Sequence, residues 1–218
     1  MDEALGQTIE RADDPLNLSV VMGGCGPGSE IDSLLTLYEQ YSLNSRLNVE
    51  AYDFNSLAVK IARRGVYRVQ NHNPEDVPGE QATTMAKLGF DISQDPALVA
   101  DGGKATHFMA DSTLIRSRHD VTVVEHDLAL PLRRERKADL ITLYNLLPHL
   151  RRTHKLGNAV RNLADVLADR GVFSLSDVLS HEDTEGEMET REILQEEFDL
   201  VPLFLSPWQD RPVIFGRI

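Results

Sequence analysis

Short apolar runs alternate along this chain with stretches whose apolar residues recur at helical spacing, and that alternation predicts a succession of strand–helix units. Leu16 to Met22 reads as a buried first strand, and Glu30 to Tyr41 places Ile31, Leu34, Leu35, Leu37 and Tyr38 along one side of a helix. Leu47 to Tyr52 alternates as a second strand. Leu57, Val59, Ile61 and Ala62 mark the next helix, which closes at Gly65. Two successive units of this kind imply parallel strands joined by right-handed crossovers.

Val121 to His126 is expected as the third strand, and Asp139 to Tyr144 as the fourth, with an apolar run typical of burial on both faces. A long helix is predicted from Lys155 to Ala168, stopped by Asp169-Arg170-Gly171. Strand five runs from Val172 to Asp177. An acidic stretch from His181 to Glu189 leads into a short helix ending at Glu197. Leu200 to Leu205 and Pro212 to Gly216 are expected to pair through a turn at Trp208-Gln209-Asp210, with both prolines suited to strand ends or an edge.

Two stretches break the rhythm. Residues 1–15 carry little apolar pattern and read as a short helix or lead-in. From Val66 to Arg118, Pro74, Pro78, Gly79, Pro96, Gly102 and Gly103 interrupt any periodicity, and the stretch is too long for an ordinary connection. It is predicted to hold a helix from Glu80 to Leu88. A hairpin is expected around Asp101-Gly102, with Leu98-Val99 and His107-Phe108-Met109 as its arms. As a rim insertion it is either a lid or recognition element, or a structural flap. The organisation is therefore one domain over residues 1–218 with an insertion at about 66–118.

Charge narrows the partners. With 22 Lys+Arg against 35 Asp+Glu the chain carries −13, which disfavours nucleic acid and anionic membranes. The single cysteine, Cys25, excludes an internal disulfide. No basic-then-apolar leader and no membrane-length apolar stretch is apparent, so a soluble cytoplasmic protein is expected. Arg133 to Lys137 form a basic cluster at the amino end of the fourth strand, read as solvated surface.

The chemistry concentrates at Gly23-Gly24-Cys25-Gly26-Pro27-Gly28, between the first strand and the first helix. Glycines allow the chain to turn with φ > 0 and let a ligand approach the backbone, and the following helix points unpaired N–H groups at whatever lies there. Asp53, at the carboxyl end of strand two, is placed to accept from ribose hydroxyls, or else to cap a helix or sit in a solvated loop. The glycine spacing departs from a nicotinamide fingerprint, because Ser29 stands where a third glycine belongs, and no Gly-Lys-Ser/Thr follows for a P-loop. The histidines form no metal-ligand spacing.

Gly24-Cys25-Gly26-Pro27-Gly28, Asp53, Asp127-Leu128 after strand three, Asp139 opening strand four and Pro148-His149-Leu150 closing it together resemble the class I S-adenosylmethionine-dependent methyltransferases. Within them, Ala62-Arg63-Arg64-Gly65-Val66-Tyr67 is similar to the A-R-x-G-[IV]-Y segment of the CheR-type chemotaxis receptor methyltransferases, which methylate glutamate side chains and carry a small inserted β-subdomain after this helix. The resemblance implies an α/β, Rossmann-like, mostly parallel seven-stranded sheet with a C-terminal antiparallel hairpin, and S-adenosyl-L-methionine as cofactor. It implies cofactor contacts at Gly24, Cys25, Gly26, Gly28, Glu30, Asp53, Phe54, Asp127, Leu128 and Asn145, with Asp127 facing the adenine amino group and Leu128 its ring. At the carboxyl end of strand four, Asn145 is placed to face the methionine moiety or substrate, and His149 is the candidate base for a protonated acceptor, or else a polar cap of the strand-four loop.

The acceptor implied is a small molecule or a protein group. A carboxylate arrives ionised and needs no base. Tyr144 and His149 replace an arginine and a tyrosine of the family motif, Met22 stands where many class I enzymes have an acid, and the family's N-terminal helical domain has no counterpart. These departures leave a non-catalytic, cofactor-binding regulatory or scaffolding module as the alternative.

Overall fold

The computed structural model describes residues 1–41, 45–70, 91–94, 99–100, 104–105, 107–143, 146–175, 184–206 and 211–217. The chain begins with α1 (Asp2–Arg11), β1 (Ser19–Gly23), α2 (Ser29–Tyr41), β2 (Asn48–Asp53) and α3 (Ser56–Arg64). The strands of the insertion follow: β3 (Val66–Gln70), β4 (Asp91–Gln94), β5 (Val99–Ala100), β6 (Lys104–Ala105) and β7 (His107–Asp111). A single turn, α4 (Thr113–Arg116), leads to β8 (Asp120–Glu125), β9 (Ala138–Leu143), α5 (Leu147–Arg152), α6 (Leu156–Ala164) and β10 (Leu167–Leu175). The chain closes with α7 (Thr184–Glu192), a π-helical turn over Ile193–Glu197, β11 (Val201–Ser206) and β12 (Arg211–Gly216).

Seven strands form one sheet in the order β11-β12-β10-β9-β1-β2-β8, with β1 at its interior. The pairs from β10 through β8 are all parallel, while β12 runs antiparallel to both β10 and β11. Reversal of strand order on either side of β1 opens a crevice at the carboxyl ends of the strands, the usual ligand position in open α/β sheets. The alternation of side chains along each strand divides the core between the two faces. Val20, Met22, Val49, Ala51 and Leu140 pack under α1, α2 and α3, and Val21, Tyr52, Ile141 and Leu143 pack under α5 and α6.

Of the two readings left open for residues 1–15, the structure has the helix: α1 buries Ala4, Leu5 and Thr8 although its pattern is weak, because one narrow stripe suffices to dock it. Other expectations are corrected. The helix expected to reach Ala168 ends at Ala164, since Val166 turns back to the Leu163 carbonyl and Leu167 already pairs with Ala138 in the sheet. The apolar Val166 and Leu167 fit a helix face or a strand equally well, and strand pairing wins. Arg134 is not solvated: its side chain is 2% exposed and donates to Ser19 Oγ at 2.9 Å and Glu50 Oε1 at 2.9 Å.

Within the insertion, β3, β7 and β4 form an antiparallel sheet. His107 to Met109 therefore belong to β7 rather than to the expected hairpin, which is made by β5 and β6. The helix expected over 80–88, the turn at 101–103 and the turn at 207–210 lie outside the described residues. No described helix is long and apolar enough to cross a membrane.

Candidate active site

The loop leaving β1 is held by its own neighbours. Gly24 N–H and Cys25 N–H both donate to the Tyr52 carbonyl, at 2.8 and 3.2 Å, tying the loop to the end of β2. Gly24, Gly26 and Gly28 all take positive φ (74°, 51° and 106°), which L side chains rarely adopt. Gly26 and Gly28 are glycine for opposite reasons. A Cβ on Gly28 would meet Ala62 Cα at 3.2 Å and Arg116 Nη2 at 2.7 Å, whereas a Cβ on Gly26 would point into open space with no protein atom within 4 Å. The loop is thus packed on one side and bare on the other.

Asp53 fixes the bare side. Its Oδ2 accepts from Gly26 N–H at 2.9 Å and its Oδ1 from Asn55 N–H at 2.8 Å. Asn55 in turn caps α3, accepting from Leu57 N–H at 3.0 Å and Ala58 N–H at 3.3 Å. Of the two readings left open for Asp53, helix capping falls to Asn55. Its carboxylate is oriented by two backbone donors and retains free lone pairs, since an ionised carboxylate has about four acceptor sites.

Gly24, Asp53 and Phe54 form one wall of a narrow cleft, and His126, Asp127 and Leu128 form another. Leu146 and Leu150, one turn apart at the start of α5, supply an apolar side. Phe54 is 69% exposed at this cleft, a large apolar surface that a bound ring would cover. Asp127 accepts from Ala129 N–H at 3.1 Å and is paired with Lys155. The Lys155 ammonium, chiefly by this hydrogen bond, holds the Asp127 carboxyl below the usual carboxylate range.

The other expected site residues occupy different places. Cys25 is buried below the loop, and burial, with the nearby Asp53 and Glu30 carboxylates, pushes its thiol up to about 12. Glu30 sits in the first turn of α2 and accepts from Ser29 Oγ at 3.0 Å. His149 is exposed on α5 and does not line the cleft. Arg152 Nη2 lies 2.7 Å from its Nδ1, and because a guanidinium can only donate, that nitrogen carries the lone pair and the proton resides on Nε2. A base at His149 would first have to release Arg152. Asn145, like Tyr144, lies outside the described residues.

Four contributors carried no clear sequence signal. Leu146 and Leu150 stand at i, i+4, but the pattern alone does not distinguish a cleft wall from core. Lys155 is remote in sequence from Asp127. Arg116 reaches from α4 to Asp32 Oδ1 at 2.6 Å, to the Gly28 carbonyl at 3.2 Å and to the Ala62 carbonyl, clamping the far side of the glycine loop.

No family model matches the chain, and no curated protein does. Among solved structures, the N-methyltransferase NodS from Bradyrhizobium japonicum aligns with a TM-score of 0.54 at 12% identity, over 99% of this chain and 92% of NodS. The TehB-like SAM-dependent methyltransferase from Corynebacterium glutamicum aligns with a TM-score of 0.51, also at 12% identity, over 99% of this chain and 88% of its own. The chain has the fold of the S-adenosylmethionine-dependent methyltransferases. In this methyltransferase fold the glycine loop and Asp53 occupy the crevice beside the central strand β1. The cleft brings together the Asp53 carboxylate, the Lys155-paired Asp127 carboxylate, and the side chains of Leu128, Leu146 and Leu150.

Proposed function

We propose that the protein is an S-adenosylmethionine-dependent methyltransferase acting on a carboxylate, in a small molecule or a protein. The observation that carries the cofactor reading is the Asp53 carboxylate, held by Gly26 N–H and Asn55 N–H at the mouth of a cleft that Asp127 and Leu128 complete. Asp53 would hold the ribose hydroxyls, since bonds to an ionised acceptor are strong and directional. Asp127 would accept from the adenine amino group, with Leu128, Leu146 and Leu150 against the ring. Bare backbone at Gly26 would admit the rest of the donor. When bound, the cofactor supplies an electrophilic methyl group, so this chain's residues contribute orientation and proximity.

The preference for a carboxylate rests on the His149 pairing. With its Nδ1 lone pair engaged by Arg152, the imidazole presents an N–H at Nε2, which suits an acceptor that arrives already ionised. The likeness of residues 62–67 to the chemoreceptor methyltransferases supports the same acceptor class. The charge of −13 supports an acceptor other than nucleic acid or an anionic membrane. The occupied His149 is equally the observation that favours a binder without turnover.

Methyl-tritiated cofactor, incubated with the protein and a lysate of its host, separates these readings. A carboxylate acceptor yields label that mild alkali releases as volatile methanol. Alkali-stable label contradicts the carboxylate acceptor, and the absence of any transfer despite cofactor binding leaves the non-catalytic module.

A further inference from the structure

A second concavity opens away from the cleft, between the last turn of α3, the turn α4 and the edge strand β8, and shares no lining residue with the cleft. It is an open groove of about 310 Å³, at the lower end of the roughly 300–1,000 Å³ usual for small-ligand sites. Arg63 and Arg64 stand on one side, Thr113 and Ser117 on another, and Val121 and Val123 form an apolar floor.

The charge arithmetic of this groove is unusual for so acidic a protein. Arg116 also lines it, but its charge is cancelled by the buried Asp32 carboxylate at 2.6 Å. His119 contributes a wall and no charge: burial holds its pKa below the usual value, Nδ1 accepts from Leu47 N–H, and Nε2 faces Glu39. Arg63 spends only Nε, on the Val123 carbonyl at 2.9 Å, and among the described residues Arg64 has no hydrogen-bond or ion-pair partner. Two adjacent guanidiniums are thus left facing one groove with no carboxylate paired to either among the described residues.

We propose that this groove binds a small-molecule phosphate monoester. The dianion, at about −1.5 to −2 near neutral pH, matches the two uncompensated charges. Guanidinium forks match phosphate oxygens bidentately, the Thr113 hydroxyl adds a donor at the rim, and Val121 and Val123 receive the apolar side of the ester group. The site is independent of the methyl-donor reading, and either can fail without the other.

Phenyl phosphate is the probe, titrated calorimetrically at low salt into the whole protein, with phenol as the uncharged control and S-adenosylhomocysteine titrated separately. Saturable binding of phenyl phosphate and none of phenol is expected. Arg64→Ala, which removes an exposed and unpartnered side chain, should weaken phenyl phosphate about tenfold or more while leaving thermal unfolding unchanged. Arg63→Ala should weaken it similarly. An absence of saturable phenyl phosphate binding to the wild type overturns the proposal, and so does equal binding by the Arg63→Ala/Arg64→Ala double variant.

Discussion

Asp53 braces the glycine loop with the same carboxylate that the proposed site offers to a ligand. Losing it leaves the Gly26 and Asn55 N–H groups without their acceptor and removes the proposed partner of the ribose. Hydrogen bonds to charged groups are worth about 1.5–3 kcal/mol, so Asp53→Ala should weaken S-adenosylhomocysteine by about ten- to a hundredfold. Unchanged affinity in calorimetry would remove Asp53 from the site. Cys25 behaves oppositely. With its pKa pushed up to about 12 and its side chain buried, the thiol should resist alkylation at pH 8 in the folded protein and react on unfolding. Rapid native-state labelling would show the thiol to be accessible. Asp53 was visible in the sequence because a strand–acid–helix order fixes where such a residue lies. The direction of His149 was not, because it depends on Arg152 one turn along a short helix.

Among the elements, α2, α3 and the insertion meet at the Arg116–Asp32 pair, whose side chains are only 10% and 1% exposed. Breaking a buried pair from one side strands a charge and costs about 3–5 kcal/mol, so Arg116→Ala should lower stability by that order in denaturant unfolding. Because Arg116 also donates to the Gly28 and Ala62 carbonyls, the same variant should loosen the glycine loop. A loss below about 1 kcal/mol would mean that the pair is not buried in solution.

His119, between α4 and β8, gives a pH signature. Its folded pKa is lowered mainly by burial, against the opposing pull of Glu39, so the neutral form is the one the fold favours. Its contribution is present above the ordinary value of 6.5 and is lost as pH falls below it, while the unfolded chain takes up the proton. His119→Gln should flatten the stability profile below pH 6.5. An unaltered slope would assign that pH dependence elsewhere.

For the whole molecule, the alternation of apolar runs made the parallel sheet legible, because strands buried on both faces leave uninterrupted apolar segments such as those of β1 and β9. The closing antiparallel pair was legible as two successive short apolar runs, although β11 is the sheet edge and only partly buried. What escaped were features decided by distant partners. Arg134 became buried because Glu50 and Ser19 wait for it across the sheet, and α6 stopped early because Leu167 found Ala138. The cleft followed the same division: its glycines and acids were local signals, while Lys155 came from another part of the chain.

The central claim is that the crevice beside β1 binds a methyl donor. Calorimetric titration of the protein with S-adenosylmethionine, S-adenosylhomocysteine and NAD tests it most directly. The account predicts saturable binding of both methionine derivatives and none of NAD, and binding of NAD with neither methionine derivative would contradict it.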